Sequence, residues 1–302
     1  MHLLTISNIS IVFTGLLIVY CGCRILSFIY LYIRPSALAR HLTDGAYALV
    51  TGATDGIGKA IATELAAYGF NLVLHGRNMD KLNTVQQQLQ AEYPGCKIIT
   101  ICQDGSDQPL LDTSSIKGVP VKVLVNNVGI GPVSPLASSS VDDITRTVNL
   151  NVLFPTYLTR AFLATGQPPS LIVNISSYAG LLPPPFLSVY AGTKAYNNAF
   201  SKALSVELGN TSVISMLVGS VHTGANKKPV SFTRPDAQTF AKRVLKVVGT
   251  RRKSVYPYWP HAVQTSILSM LPARFIDQTM RKAMQLNIPP SATNPSAPSS
   301  ML

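Results

Sequence analysis

The sequence predicts an α/β chain: a mostly parallel, doubly wound sheet with helices on both faces, preceded by an apolar segment suited to lie in or across a membrane. Three observations carry this. Residues 3–23 contain no Asp, Glu, Lys, Arg or His. From residue 46 to about residue 218, short apolar runs of strand type alternate with stretches of helical spacing. A glycine-rich turn joins the first run to the first helix.

The composition narrows the classes. The chain has 302 residues, 47% hydrophobic and only 13% charged, against about 25% charge in typical soluble domains. It is neither a disordered chain nor an ordinary highly charged soluble protein. The net charge is +12. Residues 1–150 balance ten Lys/Arg against ten Asp/Glu, whereas residues 151–302 set fifteen against three, Glu207, Asp236 and Asp277. No nucleic-acid module accompanies the basic half, so an anionic membrane surface or a phosphate-bearing ligand explains it better than nucleic acid. Cys21, Cys23, Cys96 and Cys102 have neither zinc nor disulfide spacing, and no acid/histidine cluster calls for a metal.

Residues 3–23 are long enough to cross a hydrocarbon core of about 30 Å as a helix, and apolar character resumes at 25–33 after Arg24. A signal peptide would have a basic start and a shorter apolar run. Arg24, Arg34 and Arg40 follow the run, which predicts a lumenal N-terminus and a cytosolic remainder. A buried or re-entrant hairpin, with 25–33 in the interface, is the alternative. Residues 1–40 are therefore assigned as the membrane anchor.

Ala46–Val50 reads as the first strand, Lys59–Tyr68 as a helix with Ile61, Leu65 and Ala66 on one face, and Asn71–His75 as the second strand. Between the first strand and the helix stand Gly52, Thr54, Asp55, Gly56, Ile57 and Gly58. Strand, glycine turn, helix, strand is the context of a dinucleotide site: the glycines let the backbone approach a pyrophosphate, and the helix N-terminus offers N–H donors. Nineteen residues after Gly58, where an NAD-selective site carries an acid, stands Arg77, which suits a 2′-phosphate. The expected cofactor is NADP(H), with His75 and Asn78 as further polar contacts.

Residues 79–93 read as a helix through Leu82, Val85 and Leu89, Lys97–Cys102 as the third strand ending at Asp104, and Val121–Val125 as the fourth, running into Asn126-Asn127-Val128-Gly129. One long helix is expected over 141–163, carrying Asn149. Leu171–Ile175 is the fifth strand and leads into Ser176-Ser177. Tyr190 and Lys194, at i and i+4, share a face of a helix over 190–208. A sixth strand follows at 213–218.

The glycine turn, the Asn-Asn-Val-Gly segment, Ser177 and the Tyr190-x-x-x-Lys194 pair, with Tyr190 thirteen positions after Ser177, resemble the short-chain dehydrogenase/reductase superfamily over residues 46 to about 225. The resemblance implies a Rossmann-type fold and a catalytic set of Asn149, Ser177, Tyr190 and Lys194, with Ser176 as bystander. It places Asp104 near an adenine, Asn126 at the cofactor and in support of the central strands, and Gly129, Val221 and Thr223 along the cofactor. The membrane segment, Thr-Asp-Gly-Ile-Gly at 54–58 and Asn-Ile-Ser-Ser at 174–177 further resemble the membrane-bound 3-ketoacyl-CoA reductase and 17-beta-hydroxysteroid dehydrogenase branch. That implies NADPH-dependent reduction of a long-chain 3-oxoacyl-CoA, or alternatively of a steroid or secondary-metabolite ketone, at the endoplasmic reticulum, with a homodimer or other lipid-pathway enzymes as possible partners. One departure stands out: Val218-Gly219 replaces the branch's Pro-Gly, so the loop it opens is expected to be less rigid.

In this scheme Tyr190 is the acid in reduction, its pKa lowered from about 10 by the Lys194 ammonium. Ser177 holds the carbonyl, and Asn149 holds a water that links Lys194 to solvent. A non-catalytic scaffold would predict a damaged set; here the set is intact. The apolar stretch Leu181–Leu187 suits a hydrophobic substrate. Residues 224–236 read as a flap bearing Lys227, Lys228 and Arg234, which could meet CoA phosphates. After a helix at 236–248, residues 251–286 read as a helical extension on the membrane and substrate side, and 287–302 as a disordered tail.

Overall fold

The computed structural model describes residues 6–288, with side chains from residue 10 onward. The tail expected to be disordered lies outside the described residues from 289 on. The chain divides into two compact units, up to Ser36 and from Ala37. The first is helix α1, Ile6–Ile33. Its stretch Ser10–Ile33 is long and apolar enough to cross a bilayer, and Ile11, Phe13, Ile18 and Leu26 are exposed on it.

The second unit is built on a seven-stranded, all-parallel sheet: β1 (Tyr47–Thr51), β2 (Asn71–Gly76), β3 (Ile98–Cys102), β4 (Val121–Asn126), β5 (Leu171–Ser177), β6 (Ser212–Val218) and β7 (Ser254–Val255). The spatial order is β3-β2-β1-β4-β5-β6-β7. The direction of winding reverses between β1 and β4, and ligands bind at such a switch point, beyond the carboxyl ends of the strands. Strands β1, β2, β4 and β5 are buried on both faces, which is why they read as continuous Val/Ile/Leu runs rather than as alternation.

Helices α2 (Gly56–Tyr68), α3 (Met79–Glu92) and α7 (Ala237–Lys246) cover one face of the sheet, and α5 (Phe154–Leu163) and α6 (Ser188–Glu207) the other. On the α5/α6 face Phe154, Leu158, Phe162 and Leu204 close over Leu49, Leu124, Ile172 and Val213, all buried. Each such side chain contributes roughly 1.5–3 kcal/mol through loss of apolar surface to water.

Two sequence expectations change. The helix expected over 141–163 is broken into α4 (Val141–Val148), a π-helical turn at Asn149–Leu153, and α5. Pro155 has no N–H for the carbonyl of Asn151, four residues earlier, so regular α bonding cannot run through this point. In addition, Ser254–Val255 joins the sheet beside Ser215–Met216, a pairing too short to show as a periodic run. The extension then continues as α8 (Trp259–Met270) and α9 (Ala273–Gln285).

Candidate active site

The glycine turn sits at the carboxyl end of β1. Gly52 and Gly56 have φ of 65° and 54°, a region only glycine enters without strain. A Cβ on Gly58 would collide with the carbonyl of Gly52, so α2 starts hard against the turn. Asp55 caps α2, accepting from Gly56 N–H at 2.7 Å. Thr54 packs its methyl against Gly76, and Ile57 lies partly exposed in the first turn of α2.

Asn127 holds this turn from the neighbouring strand. Its Nδ2 donates to Thr51 O (2.9 Å) and Gly52 O (3.3 Å), while its N–H donates to Thr51 Oγ1 at 2.9 Å. Asn126, expected at the cofactor, points instead into the core. It donates to Thr159 Oγ1 (3.1 Å) and Asn174 Oδ1 (2.8 Å) and ties β4 to β5 and α5. It supports the strands as expected, but it does not face the groove. Opposite the turn, Thr223 packs against Gly56 and Gly224 meets the Asp55 carboxylate, while Val221 is buried.

At the tips of β2 and β3, Arg77 stands 3.7 Å from Asp104, with its side chain 66% exposed. Burial works against the charge on Asp104. The Ser106 N–H and hydroxyl and the guanidiniums of Arg77 and Arg146 outweigh it and hold the carboxyl below its ordinary range. The two further contacts expected here are engaged elsewhere. Asn78 caps α3 by accepting from Lys81 N–H at 2.9 Å. His75 is buried against Phe154, with Nε2 on Gln103 O (3.0 Å), and burial lowers its pKa to about 4. It is a neutral core side chain.

The carboxyl end of β5 and the first turns of α6 bring Ser177, Tyr190 and Lys194 together. Ser177 Oγ donates to Val218 O (3.2 Å) and accepts from Ala179 N–H (3.1 Å). Ser176 turns the other way, onto Lys194 O, as a bystander would. Lys194 is buried, donates to Ile175 O at 2.9 Å, and lies over the Tyr190 ring, 5.6 Å from its centroid. Desolvation lowers its pKa to about 8. Burial pushes the Tyr190 phenol up, and the neighbouring Ser177 hydroxyl offsets this only in part. Lys194 does not enter this balance, so the expected lowering of Tyr190 by Lys194 is not seen.

Asn149 does not join this cluster. Its Nδ2 donates to Ser106 O at 2.9 Å, on the β3 side. Asn151 is the asparagine that the π turn brings to the cluster. Fully buried, it accepts from Ile130 N–H (2.9 Å) and donates to Ile130 O (2.7 Å) and Thr193 Oγ1 (3.0 Å). Gly129 lies where a Cβ would stand 3.1 Å from Asn151 Oδ1 and 3.3 Å from Lys194 Nζ. The signal that could have found Asn151 was Pro155, four residues on. Gly131, also missed, lies flat against the Tyr190 ring, where a Cβ would come within 2.5 Å of it.

The glycine cradle, Arg77 and the cluster thus line one carboxyl-terminal edge of the sheet, fit for a nucleotide beside a proton donor. Comparison with known proteins agrees. The family model described as short chain dehydrogenase matches residues 46–232. The chain is 34% identical to an Arabidopsis thaliana very-long-chain 3-oxoacyl-CoA reductase-like protein, over 80% of this chain and 81% of the relative. It is 36% identical to the very-long-chain 3-oxoacyl-CoA reductase of Mus musculus, over 76% of each. Among solved structures, a short chain dehydrogenase from Burkholderia cenocepacia in complex with NADP aligns with a TM-score of 0.61 at 27% identity, over 70% of this chain and 94% of that one. Fold, motif spacing and relatives agree: this chain belongs to the short-chain dehydrogenase family and is an oxidoreductase.

Proposed function

We propose that the protein reduces the ketone of a long-chain 3-oxoacyl-CoA to a secondary alcohol with NADP(H), at the endoplasmic reticulum membrane and with its catalytic unit in the cytosol. The observation that carries the chemistry is the convergence of Ser177, Tyr190 and Lys194 beside the glycine cradle. The cradle fits a dinucleotide because a Cβ at Gly58 has no room, and Arg77, set apart from the turn, fits a 2′-phosphate. Bound there, NADPH would supply the hydride that the ketone carbon needs, leaving as NADP+. Tyr190, protonated at neutral pH, donates its proton to the developing alkoxide. Ser177 orients the carbonyl oxygen. Lys194 stands over the Tyr190 ring as a cation and would hold the cofactor's ribose. Asn151, rather than Asn149, supports the strand end that carries Gly129 and Ile130.

The substrate class rests on the relatives' names and on the apolar walls near Tyr190. Pro132, Leu136, Phe186 and Val189 line a small cavity with Tyr190, together with polar groups such as Ser134, Asp143 and Ser188. Phe186 adopts φ 65° and is held through its carbonyl by Ser134 N–H at 2.9 Å. That is a strained position for a bulky residue and is of the kind found at ligand clamps. Membrane residence rests on α1, and also on α9. One side of α9 carries Ile276, Met280, Ala283 and Met284, and the other carries Arg274, Arg281 and Lys282, with Phe275 beside Lys282; no residue of it is buried. Such a helix suits an anionic lipid interface. Lys227 and Lys228 lie on the exposed flap, open to CoA phosphates.

The test is purified protein in detergent with NADPH, followed at 340 nm with 3-oxoacyl-CoA of increasing length and then with steroid ketones. Turnover of the acyl-CoA is expected, and turnover of steroid ketones alone would replace the substrate proposal. Tyr190→Phe is expected to abolish turnover while leaving NADPH binding; persistent activity would overturn the assignment of the acid.

A further inference from the structure

The loop after β6 opens with Val218-Gly219 and no proline, yet it is held firmly, from 42 residues further along the chain. His261, in the first turn of α8, is 1% exposed. Gly219 N–H donates to its Nδ1 at 3.2 Å. Its Nε2 faces Ser220 O at 3.1 Å and Thr233 O at 3.2 Å. Because Nδ1 accepts a backbone N–H and Nε2 faces only carbonyls, the ring is neutral with its proton on Nε2. The rings of Tyr258 and Phe240 flank it at 5.1 Å and 5.9 Å. A Cβ on Gly219 would come within 2.7 Å of the imidazole, so ring and loop are in direct contact.

The same loop runs on to Thr223, which packs on Gly56 of the glycine turn. It also receives the flap: Arg234 Nε donates to Ser220 Oγ at 2.8 Å, and Asn226 Nδ2 to Ser220 Oγ at 3.0 Å and to Val221 O at 2.9 Å. One side chain therefore bonds the first two residues of the loop, a flap carbonyl and, through its own backbone, α8. Burial opposes protonation of His261 and keeps the ring in the one state that can do this.

We infer that His261 is a positioning residue of the reductase site: it fixes the loop Gly219–Thr223 and the flap against α8, replacing the missing proline ring as the brace of the cofactor groove's inner end. This rests on reading that groove as the NADP(H) site. It gives the C-terminal extension a role in cofactor binding, since α8 carries the brace.

The test uses full-length protein in detergent and three variants. His261→Phe keeps a ring and removes both hydrogen-bonding functions, His261→Asn keeps an acceptor near Nδ1, and His261→Gln keeps a donor near Nε2. His261→Phe is expected to weaken NADPH binding, followed by nicotinamide fluorescence, by about tenfold. It is also expected to lower kcat while leaving KM for the acyl-CoA within about twofold, and to speed amide exchange in residues 219–223 in the absence of cofactor. Asn and Gln should each recover part of both effects. Parent-like exchange and NADPH affinity in His261→Phe would overturn the inference. So would Asn and Gln variants as damaged as Phe, or failure of all three to fold, which would make His261 a folding residue only. If the parent itself binds no NADPH, the cofactor reading fails, while the exchange rates still report on the brace.

Discussion

Gly131→Ala tests the site where the backbone presses on Tyr190. The glycine's φ lies outside the left-handed region, so alanine brings no backbone strain there. Its Cβ would stand 2.5, 2.8 and 3.1 Å from Cδ2, Cγ and Cε2 of Tyr190. Ordinary carbon contacts begin near 3.4 Å, so the ring must retreat by about 0.9 Å or the loop must lift. The loop resists, because both the N–H and the carbonyl of Ile130 are bonded to Asn151. A misplacement of about 1 Å at a reacting group costs about 100-fold in rate, equivalent to about 2.7 kcal/mol of barrier. The assay is steady-state kcat on a 3-oxoacyl-CoA with saturating NADPH, alongside NADPH affinity and melting temperature. Affinity should stay near the parent's. Gly95→Ala, with nothing within 4 Å of the added carbon, is the matched control and should be silent. A Gly131→Ala enzyme with kcat within about threefold of the parent would refute the reasoning.

Three further outcomes are expected. Asn151→Ala loses three buried hydrogen bonds and should destabilise the protein by about 2–3 kcal/mol while cutting kcat, whereas Asn149→Ala should cost about 1 kcal/mol and leave kcat nearly unchanged; the reverse ranking, by melting and initial rates, would restore Asn149. Lys194→Met bears on pH. The folded-state pKa of Lys194, depressed from 10.5 to about 8, means its buried charge costs most below pH 8 and progressively less from there to 10.5. The stability of the Met variant relative to the parent should therefore fall by about 2 kcal/mol between pH 7 and pH 9.5, and a pH-independent difference would show that the lysine is not desolvated. Arg77→Glu should lower the preference for NADPH over NADH, as a ratio of kcat/KM, by about 10- to 100-fold; an unchanged ratio would remove Arg77 from the 2′-phosphate.

Much of the fold was legible in the sequence because its signals are local. The buried parallel strands advertise themselves as apolar runs, and six of the seven fall where those runs place them. The glycine turn is equally local, since its φ values and the packing of α2 on Gly52 depend on neighbours a few residues away. The Tyr190–Lys194 pair follows from helical periodicity alone. β7 is not legible because two residues carry no period, and the break in the helix at 149 is marked only indirectly, by a proline that lacks the N–H for the carbonyl of Asn151.

The sequence by itself determined the order of elements, the cradle and the acid–lysine pair. The tertiary structure decided which polar side chains serve them. Residues two apart on a helical turn face nearly opposite ways, so Asn149 and Asn151 part company, one to Ser106 and the other to Ile130. Asn126 and Asn127 diverge in the same way at a strand end, one into the core and the other onto the glycine turn. His261 bears on the site from 42 residues beyond Gly219, and no local pattern marks it. Apolar burial is written in the repeat of a segment, because any neighbour that excludes water satisfies it. A hydrogen bond needs one particular donor and acceptor in register, and that pairing exists only once distant segments have packed.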